Sequence, residues 1–182
     1  MKESIAVWLI VTDGKNQGKI LLQQRAETEV ENGKIKKQSY PYVCQPTWNG
    51  KVEEGETLEE AIEREAKEEL GENFGENYNF KKLIPFGAKK YIYKGEEFIG
   101  WNFIGLVTED ELNTVKLHQG ARSEFIFVSS SNILEKTKPL SNRIDPESGE
   151  AIFFGSEIVL FDDQWEVLWN LYQLKKILLI LA

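Results

Sequence analysis

The feature that most constrains this chain is one acidic helix with both ends marked. Thr57 followed three residues later by Glu60 makes a capping box. Glu59 and Glu60 suit the positive end of a helix, and Gly71 stands where a C-terminal left-handed residue belongs. These signals predict a helix from about Leu58 to Leu70. At about 100° per residue, with Glu65 set to zero, Glu68 falls near about −60° and Glu69 near about +40°, so three carboxylates share one sector. On that scale Ile62, Ala66 and Leu70 fall at roughly +60°, +100° and +140°, which puts the apolar stripe beside Glu69.

Between Gly50 and Glu72 ten glutamates stand against Lys51, Arg64 and Lys67, so nearly all of the chain's net charge of −8 lies in this segment. A solvated acidic face accounts for Glu60, Glu63 and Lys67, which point away from the stripe. It accounts poorly for Glu65, Glu68 and Glu69. Like charges at these spacings cost about a few tenths of a kcal/mol each in water, and more at the edge of a core. A divalent cation resolves the conflict, and hard oxygen donors with no cysteine or histidine nearby point to Mg²⁺ or Mn²⁺ rather than Zn²⁺. The negative balance leaves no broad basic face for a nucleic acid polymer, so an anionic partner needs a metal.

The rest of the chain reads largely as strands. Ser4 to Val11 and Lys19 to Gln24 flank the turn-like Asp13 to Gly18 and form a hairpin. Residues 27 to 39 are polar and aperiodic and read as a mobile loop, followed by a short extended piece through Tyr40 to Gln45. After the helix, residues 81 to 107 alternate about a turn at Lys94-Gly95 and supply two or three strands, and Glu124 to Val128 supplies another. Lys136 to Glu150, rich in Pro, Ser, Asn and charge, reads as a surface loop. Asp162 or Asp163 caps a closing helix of about 162–180, in which Trp165, Leu168, Trp169 and Tyr172 recur at helical spacing. Strands around one strong helix, with a second helix at the end, indicate an α+β sandwich, and 182 residues suit a single domain over 1–182.

Cys44 stands alone, which excludes an intramolecular disulfide and a multi-cysteine zinc site and fits a reducing cytosol. No stretch reaches the roughly 18 apolar residues that span a bilayer, and the N-terminal apolar run reads as a first strand rather than a secretory signal. The expectation is a cytoplasmic protein with no membrane association. The C-terminal ILLILA reads as the end of a buried helix, with a dimer contact as the alternative, and a two-fold homodimer is the default assembly.

Written out, the segment is Gly50, five residues, Glu56, seven residues, Arg64-Glu65, Ala66, one residue, Glu68-Glu69, one residue, Gly71 and Glu72. It resembles the Nudix box of the MutT-like Nudix hydrolases, with a match at every glycine and polar position over 23 residues. The departures are Ala66, which is small, and Glu72, which is charged where the family prefers an aliphatic residue. The resemblance implies a Nudix-type α/β/α sandwich with a mixed β-sheet and the box, 50–72, as loop, helix and loop. It implies hydrolysis of a nucleoside diphosphate linked to another group, with Mg²⁺ on the pyrophosphate. Carried over by position, Glu65, Glu68 and Glu69 are metal ligands, Arg64 pairs with Glu56 to brace the loop, and Gly50 permits a tight turn. The carbonyl of Asn49 is a further ligand, although Trp48-Asn49 replaces the family's usual Pro-Gly before the box glycine.

A pyrophosphate repels nucleophiles, so a site must neutralise its charge, orient a water and take up a proton. A carboxylate among like charges has its proton affinity raised, which suits the base. Glu69 is the first assignment and Glu65 the second, since family members differ. Some members add a glutamate from a late loop; here Gln119 stands in the comparable place and His118 is a substitute for it, the alternative being a solvated loop histidine. For the substrate, Phe161-Asp162-Asp163-Gln164-Trp165 is similar to the Asp-Asp-aromatic stretch of members that act on modified purine triphosphates. Asp162 and Asp163 would then read a purine edge while Trp165 or Trp48 stacks on it; the alternative is a helix cap and a core tryptophan. The leading expectation is a nucleoside triphosphate cleaved to monophosphate and pyrophosphate. ADP-ribose or nucleotide-sugar cleavage and a non-catalytic nucleotide sensor are the alternatives.

Overall fold

Ten consecutive residues, Lys2–Val11, form the first strand, β1. Its apolar run is buried on both faces: Ile5, Val7, Leu9 and Val11 enter one core, and Trp8 enters a second. Side chains alternate across a strand, so an unbroken hydrophobic run marks a central one. The computed structural model describes residues 1–31, 33–93, 95–118, 120–122, 124–129 and 132–181, without the side chains of Glu31, Tyr93, Leu134 and residues 175–181. Strand β1 pairs antiparallel with β2 (Lys19–Gln24), completing the hairpin expected, and parallel with β8 (Glu96–Val107). Strand β7 (Ile84–Tyr93) lies antiparallel outside β8. Lys94 of the expected turn lies outside the described residues.

On the other side, β2 pairs antiparallel with β5 (Cys44–Gln45) and β9 (Ile126–Ser129), and β6 (Trp48–Lys51) pairs with β1. Helix α1 (Leu58–Leu70) packs on one face through Ala61, Ile62, Ala66 and Leu70, and the long helix α5 (Asp162–Leu181) covers the opposite face through Leu168 and Leu171. The result is a mixed sheet between helices, the α+β sandwich expected. Among the described residues no helix is long and apolar enough to cross a membrane. The expected end of α5 in ILLILA has its side chains outside the described residues.

Three segments differ from the expectation. Residues 27 to 39 contain a hairpin, β3 (Thr28–Glu31) with β4 (Lys34–Lys37), whose register sets Glu29 against Lys36, Glu31 against Lys34 and Val30 against Ile35. The exposure of β4 removes the burial pattern by which a strand is normally recognised. Within Lys136 to Glu150, β10 (Thr137–Pro139) joins the sheet through β11 (Ile158–Leu160), and Leu140 is buried. Polar composition hid a parallel edge strand whose partner comes later in sequence. Directly after Gly71, a short helix α2 (Glu72–Asn77) buries Phe74, and Gly71 takes φ 92° and ψ 152°, beyond the left-handed helical conformation expected.

Candidate active site

The capping box on α1 is complete: Thr57 Oγ1 accepts from the Glu60 N–H, and the Glu60 carboxylate accepts from the Thr57 N–H at 2.8 Å. With its start fixed there, α1 presents Glu65 and Glu69 toward β6 and leaves Glu68 exposed. The register of β6 explains Gly50. It stands opposite Ile5, on the face that receives α1, and a Cβ there would lie 1.9 Å from Cδ of Glu65. Gly50 thus clears space for a carboxylate, a role distinct from the tight turn expected of it.

Arg64 organises the loop side. Its Nε and Nη2 donate to the two Glu56 oxygens at 2.9 and 3.0 Å, and Nη2 also donates to the Lys51 carbonyl at 2.8 Å. This fork pins residues 51 to 56 against the helix and is the Arg64–Glu56 brace expected. The bonds hold the Glu56 carboxyl below its usual range and push the Arg64 guanidinium up. Nη1 turns the other way and donates to Glu65 at 2.9 Å and Glu68 at 3.4 Å.

Glu69 is held from the sheet. Gln23, wholly buried on β2, donates Nε2 to its carboxylate at 3.2 Å, and the Asn49 backbone N–H donates to it as well. Gln45 donates in turn to Gln23 at 3.4 Å. Burial, and then the charge of Glu65, push the Glu69 carboxyl well above the ordinary range, while the two hydrogen bonds oppose the shift. Burial raises Glu65 too, with Glu68 and Glu56 adding to it against Arg64. The face opens on a cleft of about 990 Å³ lined by Glu3, Lys51, Glu56, Arg64, Glu65 and Glu68.

The three carboxylates share one side of α1 as expected, but they do not converge. Among the described residues, no three acidic, histidine or cysteine side chains lie close enough to hold an ion as they stand. The reason is local: Arg64 bridges Glu65 and Glu68, while Gln23 and Asn49 draw Glu69 toward the sheet. Gln23 and Gln45 escape sequence reasoning; the signal for Gln23 was its place after the apolar run of KILLQQ.

The residues expected to contact the substrate have other partners in the fold. Trp48 is fully buried, edge-on to Phe74, Tyr78 and Phe80, so no ligand reaches its face. Trp165 stacks on Trp169 at 6.2 Å, donates Nε1 to Thr137 at 3.2 Å and packs into the α5 core. Asp162 accepts from the Ser141 N–H and Oγ at 3.2 and 2.7 Å, tying the helix start to the preceding loop. Asp163 is raised by burial, and the opposite charge acting on it is Lys89. His118 donates its backbone N–H to the Glu69 carbonyl at 3.1 Å, and its Nδ1 accepts from Gly120 N at 3.0 Å. Burial lowers its pKa, and the charges acting on it are Glu29 and Arg25 rather than the carboxylates of α1. Gln119 lies outside the described residues.

A family model described as NUDIX domain matches residues 2–144. Among solved structures the chain is similar to the MutT protein from Methanosarcina mazei Go1, at 18% identity and TM-score 0.55 over 96% of this chain and 94% of that one. It is also similar to DR0079 from Deinococcus radiodurans, at 17% identity and TM-score 0.55 over 93% and 82%. At these identities the likeness shows the fold alone. No curated protein sequence matches the chain significantly. With every glycine and polar position of the box present over 50–72 and a family match over most of its length, the chain belongs to the Nudix hydrolases, pyrophosphohydrolases that generally need divalent metal ions.

Proposed function

We propose that the protein hydrolyses a nucleoside triphosphate to the monophosphate and pyrophosphate with Mg²⁺, or Mn²⁺ in its place. The observation that carries this reading is the space cleared by Gly50 for Glu65, beside a Glu69 carboxyl that burial and charge crowding make hard to ionise. The donors fit a hard divalent cation in kind: the side chains of Glu65, Glu68 and Glu69 and the carbonyl of Asn49, whose own N–H already reaches Glu69. A cation held there supplies charge neutralisation on the pyrophosphate oxygens.

The chain's own groups do the rest. Arg64, held to Glu56 by two bonds, keeps its guanidinium at Glu65 and Glu68 and so supplies the positive charge between them in this structure. Ligand uptake therefore exchanges the Nη1 contacts while the Glu56 fork stays in place. Glu69 takes the proton from the attacking water: burial raises its proton affinity, as suits a base, and Gln23 orients its carboxylate. Glu65 is the alternative base, also raised by burial.

With Trp48, Trp165 and Asp162 occupied elsewhere, a purine-specific reading loses its stacking platform, and ADP-ribose or nucleotide-sugar cleavage stays the alternative. The test is phosphate and nucleotide release with Mg²⁺ across nucleoside triphosphates, nucleotide sugars and dinucleoside polyphosphates. Preferred release of pyrophosphate from triphosphates supports the proposal; preference for a nucleotide sugar replaces it with the alternative.

A further inference from the structure

The helix α1 site accounts for the phosphoanhydride end of a substrate and leaves the other end unassigned. The segment Tyr40-Pro41-Tyr42 has two properties that rarely coincide. Both tyrosines take positive φ, 53° and 68°, a conformation costly for bulky side chains. Both residues nevertheless remain 36% exposed, so burial does not offset that cost. Local strain that the surroundings enforce without burial is found where side chains must be aimed.

Both tyrosines line a cavity of about 520 Å³ together with Phe153, Lys37, Glu27 and Glu150. That volume falls within the range of small-molecule sites. Each tyrosine is fixed by neighbours rather than by burial. Phe153 meets Tyr42 edge-on at 6.2 Å, Phe161 meets Tyr40 edge-on at 6.3 Å, and the Arg122 guanidinium lies 5.7 Å from the Tyr42 ring centroid. Aromatic rings with Glu27 and the exposed Lys37–Glu150 pair, 3.9 Å apart, at the rim match a planar heterocycle that carries both donors and acceptors on its edge. The cavity is linked to the end of α1 through Gln38, which lines it and donates to the Gly120 carbonyl; the Gly120 N–H donates to His118 Nδ1, and the His118 N–H donates to the Glu69 carbonyl.

We infer that Tyr40 and Tyr42 form a nucleobase subsite, which holds the ring of a nucleoside phosphate whose phosphates extend toward α1. This rests on the nucleotide-hydrolase reading above. It places base recognition on the loop before β5 instead of on the start of α5.

The test measures binding without metal, so that it does not depend on turnover. The four ribonucleoside 5′-monophosphates and ribose 5-phosphate are titrated by calorimetry into the wild type, Tyr40→Asn, Tyr42→Asn and Tyr42→Phe. Asparagine removes the ring while tolerating positive φ, so the folded state is retained, and circular dichroism checks this. The wild type is expected to bind at least one nucleotide about tenfold or more tightly than ribose 5-phosphate, the scale of one stacked base. Either asparagine variant should erase that preference without changing ribose 5-phosphate binding, and Tyr42→Phe should keep it. A wild type with no preference, or a preference intact in both asparagine variants, overturns the subsite. Mg²⁺-dependent hydrolysis is assayed on the same proteins. Hydrolysis with no ring preference removes only the subsite; ring-dependent binding with no hydrolysis of any nucleotide removes only the reading of function.

Discussion

Gly50→Ala is the sharpest perturbation of this site. Gly50 has no positive φ, so alanine carries no backbone penalty there, and the entire effect is steric. The new Cβ would lie 1.9 Å from both Cδ and Oε1 of Glu65, where ordinary contact begins near 3.4 Å. The carboxylate must therefore retreat by roughly 1.5 Å, or β6 must bend away. The side chain gives way first, because β6 is tied to β1 from Ser4↔Lys51 to Val7↔Trp48. The end of a flexible side chain moves at little cost in stability, but misplacing a catalytic group by about 1 Å costs on the order of a hundredfold in rate. The control is Gly55→Ala. Gly55 has φ +85°, and no heavy atom lies within 4 Å of the place its Cβ would take, so the variant costs about 1–2 kcal/mol of backbone strain and leaves the carboxylates untouched. Steady-state kinetics and urea denaturation on both variants separate the effects. A stability loss is expected for Gly55→Ala, and a roughly hundredfold fall in kcat for Gly50→Ala only. Wild-type turnover in Gly50→Ala would refute the idea that this glycine exists to admit Glu65.

Glu69→Gln should lower turnover by about a hundredfold or more, and yet stabilise the metal-free protein at neutral pH. The folded carboxyl titrates above its ordinary 4.5, so its favourable contribution is full below that value and lost as pH rises through the raised one. Thermal midpoints in chelator should show the advantage of the variant shrinking as pH falls toward 4.5; a variant less stable than wild type at neutral pH refutes it. Gln23→Leu removes a donor to the ionised Glu69, so the acidic limb of the kcat/KM profile should move to higher pH, and an unmoved limb would exclude the coupling. Arg64→Lys cannot reproduce the fork to Glu56, and urea denaturation should show a loss of about 1–3 kcal/mol that shrinks in high salt. An unchanged curve would mean that the brace is not structural.

What the sequence determined by itself was local and periodic. The limits of α1, its capping box, the sector shared by Glu65, Glu68 and Glu69, and the central hairpin of β1 and β2 all follow from spacing along a few residues. The Arg64–Glu56 pairing came from the resemblance to the Nudix box, and both of its partners lie within one loop and helix. Tertiary structure decided everything that depends on a distant partner. Trp48 reads as a stacking platform until the aromatic cluster of Phe74, Tyr78 and Phe80 closes over it. The polar hairpin of β3 and β4 is legible only in its cross-strand register. Gln23 became a site residue because β2 carries it under α1, and Tyr40 and Tyr42 because backbone strain and a cavity are properties of the folded chain. Hydrogen bonds, charge and contact act through space, and a sequence orders residues along the chain, so only those interactions closed within a turn or two of backbone can be read from it directly.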